Sequence, residues 1–129
     1  MHSTIPYMSK KILIVEDDSF LQGLASTKLE KEGFTVSGAG NSEDAIKILA
    51  SDTPHLVLLD LVLPGTDGFG ILKGIRENET TAGIPVIVFS NLSEDKDIKR
   101  AKELGATDYM VKSNFTLDEL SERIKEILK

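Results

Sequence analysis

Residues 11–18 read Lys-Ile-Leu-Ile-Val-Glu-Asp-Asp, four consecutive apolar residues followed by three acidic ones. The apolar residues do not alternate with polar ones, so both faces of this strand should be covered, as in a parallel sheet. Similar apolar runs recur at residues 56–59 and 86–89, with a weaker one at residues 109–111, and residues 34–39 are a further candidate strand. Together with the strand in residues 11–18, these segments predict five strands.

Segments of helical length separate these strands. Apolar residues recur three or four positions apart within them, as in Leu21, Leu24, Ala25 and Leu29, or in Ile98, Ala101 and Leu104. The third helix is the least regular, because Gly70 and Gly74 each disfavour a helix interior by about 1 kcal/mol relative to alanine. Five strands that alternate with five helices predict an α/β fold.

Helix boundaries carry recognisable signals. N-terminal caps are predicted at Asn41, Ser93 and Thr116, the last in a capping box with Glu119. Two glycines stand where helices should end, Gly33 and Gly105. These signals place the second, fourth and fifth helices on the chain.

Length and charge exclude several classes of protein. At 129 residues the chain suits one globular domain, and its 15 basic against 21 acidic residues argue against direct attraction to nucleic acid or anionic lipid. No apolar run approaches the length of a membrane span, and the absence of cysteine excludes disulfide, zinc-thiolate and thiol chemistry. We expect a loose leader over residues 1–9, a domain over residues 10–129 and a cytoplasmic location.

Reactive side chains collect at the predicted ends of four strands. Parallel strands joined by right-handed crossovers bring their C-terminal ends to one edge, where ligands bind. The residues at these ends are Glu16 and Asp17 after the first strand, Asp60 after the third, Ser90 after the fourth and Lys112 after the fifth. The second strand runs out into Gly38-Ala39-Gly40, which places it at the sheet margin.

This set of side chains predicts phosphoryl chemistry. Carboxylates that converge require a cation, and an all-oxygen set suits Mg²⁺. A divalent ion and the Lys112 ammonium beside one carboxylate form a clamp for a phosphoryl group, with Asp60 as nucleophile and Ser90 as hydroxyl donor. Singly, these residues have ordinary explanations. The neighbouring Asp18 also has one, because it is expected to cap the first helix. Their conjunction at equivalent strand ends carries the prediction.

The sequence resembles the receiver domain of two-component response regulators from Lys10 onward. Four stretches carry the resemblance: KILIVEDD at 11–18, LLDLVLPGTDG at 58–68, PVIVFS at 85–90 and GATDYMVK at 105–112. They contain the family's acidic pair at Glu16 and Asp17, its phosphorylated aspartate at Asp60, its hydroxyl residue at Ser90 and its lysine at Lys112.

The resemblance implies a flavodoxin-like (βα)5 three-layer sandwich with parallel strand order 2-1-3-4-5. It implies that Asp60 takes a phosphoryl group from a sensor histidine kinase or a histidine phosphotransfer protein. Mg²⁺ would be held by Asp17, Asp60 and the carbonyl of Val62, with Glu16 acting through water. Tyr109 matches the family's aromatic switch and would turn inward as Ser90 moves.

By the same resemblance, phosphorylation alters the face formed by the fourth helix, fifth strand and fifth helix, and signals to a downstream target protein or output domain. The domain would catalyse only its own phosphorylation and dephosphorylation, as a monomer or a phosphorylation-dependent dimer, without binding nucleic acid or membrane directly.

Two positions depart from the family pattern. A proline usually follows the lysine through a cis peptide, whereas Ser113 follows Lys112 here. A cis bond before serine would cost about 2.5–4 kcal/mol, so we expect a trans loop of different shape. The residue after Ser90 is commonly small, and Asn91 is expected to crowd the phosphoryl group or to hydrogen-bond it.

Three other functions compete with this interpretation. A degenerate receiver would keep the fold as a phosphorylation-independent interaction module, but the acidic pair and the lysine are intact. A haloacid-dehalogenase-like phosphatase needs a second acid two residues after its nucleophile, where this chain has Val62. A flavodoxin-like flavin binder would have its phosphate repelled by the acids of residues 16–18.

Overall fold

The computed structural model describes residues 9–129, so that only Ser9 of the predicted leader lies within it. Within these residues, five main strands alternate with five α-helices. Their bounds are β1 Lys11–Val15, α1 Ser19–Lys31, β2 Thr35–Ala39, α2 Ser42–Ser51, β3 Leu56–Leu59, α3 Gly68–Glu77, β4 Val86–Ser90, α4 Asp95–Glu103, β5 Asp108–Val111 and α5 Leu117–Leu128. A short antiparallel hairpin follows β3, with two residues in each strand, Val62–Leu63 and Thr66–Asp67. A 3-10 turn, Lys112–Asn114, follows β5.

The five strands form one parallel sheet in the order β2-β1-β3-β4-β5. The predicted order is therefore confirmed, including the marginal position of β2. Register aligns Val15 with Ala39 on one side and with Leu59 on the other. Consequently the residues that follow β1 and β3 emerge side by side at the C-terminal edge.

Two hydrophobic layers cover the sheet, one on each face. Successive residues of β1 contribute to opposite layers because side chains alternate along a strand: Leu13 packs toward α2, α3 and α4, whereas Ile14 packs toward α1 and α5. The central strands are completely buried, as in β3 and β4. Coverage on both faces explains why their sequences lack alternation.

Most predicted helix boundaries are confirmed. Asp18 caps α1 through its carboxylate, Asn41 caps α2, and Thr116 with Glu119 forms the capping box of α5. Gly33 and Gly105 follow α1 and α4 with φ of 101° and 100°, the left-handed conformation that favours glycine.

The predicted cap at Ser93 is wrong. Helix α4 begins at Asp95, and the carbonyl of Glu94 accepts the first helical hydrogen bonds from Asp97 and Ile98 at 3.0 and 3.2 Å. No side chain caps this helix. Carboxylates in its first turn, on Asp95 and Asp97, interact favourably with the helix dipole, which stabilises the start of α4 without a serine cap.

Helix α3 forms despite its two glycines, because its apolar face is buried. Phe69, Leu72 and Ile75 lie at most 6% exposed in the core. Beyond them Arg76 ties the end of α3 to neighbouring loops: its Nε donates to the carbonyl of Gly105 at 2.9 Å and one terminal nitrogen donates to that of Ile84 at 2.7 Å. Among residues 9–129, no helix has the length and apolar character needed to cross a membrane.

Candidate phosphoacceptor site

Three carboxylates converge at the C-terminal edge of the sheet. Glu16 and Asp17 follow β1, and Asp60 follows the adjacent β3. One carboxylate oxygen from each lies within 4.8 Å of the other two. Glu16 and Asp60 are buried, at 4% and 5% exposure, whereas Asp17 is exposed. The structure thus brings together the acids that the sequence placed at separate strand ends.

Asp60 is held by three hydrogen bonds. Its Oδ1 accepts from the Ser90 hydroxyl at 2.8 Å and from the backbone N–H of Val62 at 3.0 Å. Its Oδ2 accepts from the Lys112 ammonium at 2.7 Å. Ser90 comes from the neighbouring strand β4, and Lys112 begins the 3-10 turn that follows β5 at the sheet margin. Asp60, which follows the central strand β3, is therefore the side chain that Ser90 and Lys112 both contact.

Lys112 joins two acids at once. Its Nζ lies 2.5 Å from Oε1 of Glu16 and 2.7 Å from Oδ2 of Asp60, and its side chain is 13% exposed. Burial alone would lower the pKa of Lys112, but the hydrogen bonds to Asp60 and Glu16 outweigh it and raise that pKa. For Glu16, burial raises the pKa, and the hydrogen bond from Lys112 partly offsets this increase. Lys112 is thus a firmly charged ammonium.

The loop after Lys112 has the expected trans form. Residues Lys112–Asn114 make a single 3-10 turn, and the described part of the chain contains no cis peptide bond. The extended Phe115 then leads into α5. Loss of the family's proline is therefore compatible with an ammonium that reaches both Glu16 and Asp60.

The three acids fit a hard divalent cation. All their donor atoms are carboxylate oxygens, the ligands that Mg²⁺ prefers, and an open cleft leaves room for the waters that this ion retains. The cleft has a volume of about 510 Å³ and is lined by Glu16, Asp17, Asp18, Asp60, Val62, Leu63, Pro64, Asn91 and Lys112. Asp18 uses its carboxylate to cap α1, so the candidate ligands are the other three acids.

Comparison with known proteins identifies the family. Residues 12–125 match the family described as the response regulator receiver domain. The chain belongs to this family. It is 35% identical over 120 residues to the probable transcriptional regulator ycf27 of Porphyridium aerugineum, covering 93% of this chain and 48% of that protein. It is 35% identical to the alkaline phosphatase synthesis regulatory protein PhoP of Bacillus subtilis, covering 95% and 50%.

Among solved structures, the chain is similar to the BeF3-activated N-terminal receiver domain of Klebsiella pneumoniae RstA. The TM-score is 0.85 at 30% identity, and the match covers 93% of this chain and 99% of that one. The chain spans about half the length of the two transcriptional regulators named above. It is thus a receiver domain, and its fold is the predicted flavodoxin-like (βα)5 sandwich.

A path of hydrogen bonds leads from the acidic cluster of the receiver domain to its fifth strand. The Ser90 oxygen that donates to Asp60 also accepts from the backbone N–H of Leu92 at 3.4 Å. The carbonyl of Leu92 accepts from the Tyr109 hydroxyl at 2.6 Å. Tyr109 packs against the hydrophobic layer beneath α2, α3 and α4. The residues predicted as a switch are therefore connected through one loop.

The surroundings of Tyr109 make its hydroxyl harder to deprotonate than that of an ordinary tyrosine. Burial, together with the negative charges of Asp97 and Asp60, raises the pKa of Tyr109 to about 12. A protonated hydroxyl can donate to the Leu92 carbonyl, which a phenolate could not do. An ordinary tyrosine is already protonated at neutral pH, so the raised pKa only extends this hydrogen bond between β5 and the loop after Ser90 to more alkaline pH.

The apolar residues beside the acid cluster differ in accessibility. Val62 is 53% exposed at the cleft, and Leu92 is half-buried against the core. Asn91 is exposed and lines the cleft, beside Lys112. Neither the Val62 nor the Leu92 side chain can orient a water molecule by hydrogen bonding.

One contact of the receiver domain escaped the sequence reasoning. The Gln22 side chain of α1 donates from Nε2 to the carbonyl of Glu16 at 2.9 Å. It lies against Gly38 of β2, where an added Cβ would fall 2.1 Å from Gln22 Oε1. A glycine inside a strand often marks a close approach, so Gly38 was the signal that could have revealed this contact.

Proposed function

We propose that the receiver domain accepts a phosphoryl group on Asp60. The observation that carries this proposal is the position of the Asp60 carboxylate, bonded to Ser90 and Lys112 and within 4.8 Å of two further acids. A carboxylate oxygen of Asp60 attacks phosphorus, and the bond from phosphorus to the donor breaks. With a phosphohistidine donor, the bonding pair returns to the imidazole nitrogen and Asp60 becomes an acyl phosphate.

The surrounding side chains stabilise the charge of the transferred group. Lys112 supplies a fixed ammonium, and Ser90 supplies a hydroxyl that can turn from Asp60 to a phosphoryl oxygen. Asp17, Asp60 and the carbonyl of Val62 would hold Mg²⁺, with Glu16 acting through water. When bound, Mg²⁺ neutralises negative charge shared by the carboxylates and the phosphoryl oxygens.

Signal output would follow from movement of Ser90. Ser90 is linked to Tyr109 through Leu92, so a hydroxyl drawn toward the phosphoryl group perturbs the loop that leads into α4. Tyr109 lies on β5, between α4 and α5 in the chain. The face formed by α4, β5 and α5 is therefore the proposed surface of response.

The proposed partners are those of a signalling domain. The donor would be a sensor histidine kinase or a histidine phosphotransfer protein, and the recipient of the signal would be a downstream target protein or an output domain. The similarity to transcriptional regulators supports this assignment. We place the domain in the cytoplasm, as a monomer or a phosphorylation-dependent dimer that catalyses only its own phosphorylation and dephosphorylation.

Acetyl phosphate, which donates without a kinase, tests this function. Wild-type protein incubated with acetyl phosphate and Mg²⁺ should gain the mass of one phosphoryl group, measured on the intact chain. Asp60→Asn, which keeps the size and an acceptor oxygen, should gain none, and chelation of Mg²⁺ should prevent the gain in wild type. An unmodified wild type would instead favour the degenerate interaction module, and a modified Asp60→Asn would place the phosphoryl group elsewhere.

A further inference from the structure

The side-chain amide of Gln22 holds the peptide unit between the two acids that follow β1. Its Nε2 donates to the carbonyl oxygen of Glu16 at 2.9 Å, and that carbonyl belongs to the unit joining Glu16 to Asp17. A peptide unit is planar, so fixing its oxygen fixes the orientation of the whole unit. The N–H of Glu16 is also held, by the carbonyl of Ala39 at 2.9 Å.

Gly38 provides the room in which the Gln22 amide lies. It faces Ile14 of β1 in the sheet register, on the face covered by α1. A Cβ at residue 38 would lie 2.1 Å from Gln22 Oε1 and 2.7 Å from Cδ, closer than atoms can approach. Any larger residue at position 38 must therefore displace the amide. The hydrogen bond from Gln22 to Glu16 therefore depends on the absence of a side chain at Gly38, and the two features form one arrangement.

The position of this arrangement connects it to the acidic cluster. Gln22 lines a small internal cavity together with Glu16 and Asp60. Asp17 is exposed, and the backbone that carries it sets which positions its carboxylate can reach. A rotation of the peptide unit before Asp17 would move that carboxylate relative to Asp60. Gln22 can thus affect two acids without contacting either carboxylate.

We propose that Gln22 is a positioning residue for the Mg²⁺ site and that Gly38 is required for its position. The proposal rests on the proposed function, because it takes Glu16, Asp17 and Asp60 as the groups around the ion. Contacts that orient metal ligands typically change affinity 10–100-fold. A neutral hydrogen bond to a backbone carbonyl belongs at the lower end, so its loss should weaken Mg²⁺ binding about tenfold.

Titration of Mg²⁺ alone into the purified chain, followed by calorimetry, tests the proposal. Gln22→Met keeps the length of the side chain and removes the donor, whereas Gly38→Ala keeps the donor and fills its room. Each should weaken binding about tenfold, and the double variant should bind no more weakly than either single one, because both remove the same hydrogen bond. Gly23→Ala is the control, since it adds a methyl group to the same helix at a position where, apart from the adjacent residues and the backbone of α1 itself, no atom lies within 4 Å.

Several results would overturn the assignment. An unchanged Mg²⁺ affinity in folded Gln22→Met would do so, as would losses that add in the double variant or an equal loss in Gly23→Ala. Thermal unfolding with a chelator checks that each variant folds. If Gln22→Met does not fold, the Mg²⁺ affinity of Gly38→Ala tests the proposal instead. A wild type that gains no phosphoryl group at saturating Mg²⁺ refutes the proposed function. A phosphorylated wild type with equal affinities refutes only the role of Gln22.

Discussion

Replacement of Lys112 by methionine should destabilise the metal-free protein at neutral pH. The Lys112 ammonium lies 2.5 Å from Glu16 and 2.7 Å from Asp60, and the two carboxylate side chains are only 5% and 6% exposed. Methionine fills a similar volume but leaves two buried carboxylates facing each other without a cation. Their repulsion and their desolvation are then uncompensated.

The magnitude follows from the burial of this group. Breaking a buried ion pair by removing one partner costs about 3–5 kcal/mol. The cleft admits water to the acids, so we expect about 3 kcal/mol, the lower end of that range. The same change at Lys11, whose ion pair with Asp52 is also 2.5 Å long, should cost at most about 1 kcal/mol, because both of its side chains are roughly half exposed.

Urea unfolding of the wild type, Lys112→Met and Lys11→Met, with chelator present, measures both values. Lowering the pH should reduce the difference between wild type and Lys112→Met. Burial already raises the pKa of Glu16, and removing Lys112 raises it further, so the folded variant binds protons more tightly than its unfolded chain. The stability of the variant therefore rises as the pH falls toward 4.5, the ordinary pKa of a glutamate carboxyl group. A loss below about 1 kcal/mol at neutral pH, or equal losses for both lysines, would refute this reasoning.

Three further predictions concern the same site. Mg²⁺ at a hundred times its dissociation constant should raise the unfolding free energy by about 2.7 kcal/mol, and Asp17→Asn should abolish most of that gain, as chemical denaturation can measure. Tyr109→Phe should lose about 1 kcal/mol at neutral pH. The wild type should lose stability between pH 10 and about 12, because folded Tyr109 retains a proton that the unfolded chain releases. Lys112, whose pKa is also raised, adds to this decline in both proteins, so pH-dependent unfolding of Tyr109→Phe should show a smaller decline than that of the wild type. The phosphorylated form should hydrolyse slowly, because Val62 and Leu92 cannot orient water. A lifetime of seconds by intact mass would contradict this, and Val62→Asn should shorten the lifetime.

Patterns of local sequence were sufficient to predict an α/β fold with a parallel sheet and the collection of the acids at one edge, whereas the strand order was implied by the family resemblance. The unbroken apolar runs at Leu56–Leu59 and Val86–Ser90 belong to the two central strands, which are buried on both faces. The C-terminal ends of parallel strands share an edge, and β3 and β4 are neighbours in the sheet, so Asp60 and Ser90 lie close together. Strand order placed Glu16 beside Asp60 for the same reason.

Contacts that depend on side-chain reach were not predictable in this way. Serine is a favoured capping residue, but α4 begins at Asp95 with Glu94, not Ser93, at the cap position, and the acids of its first turn interact favourably with the helix dipole. Gln22 has no distinguishing neighbour in sequence, and its contact with Glu16 depends on the space left by Gly38, sixteen positions away. Spacing along one chain does not specify where a flexible amide will find an acceptor.

The contacts that stabilise Asp60 also oppose its chemistry. A carboxylate has about four lone-pair positions, and the Ser90 hydroxyl, the Val62 N–H and the Lys112 ammonium occupy three. A metal ion and an attacking lone pair require two, so one hydrogen bond must be released. The Val62 N–H is part of the backbone, whereas the Ser90 hydroxyl can turn to a phosphoryl oxygen and Lys112 already has a second acceptor at 2.5 Å in Glu16. Lys112 can therefore leave Asp60 for a phosphoryl oxygen while its charge stays compensated, which gives the buried Glu16 a role beyond that of a metal ligand.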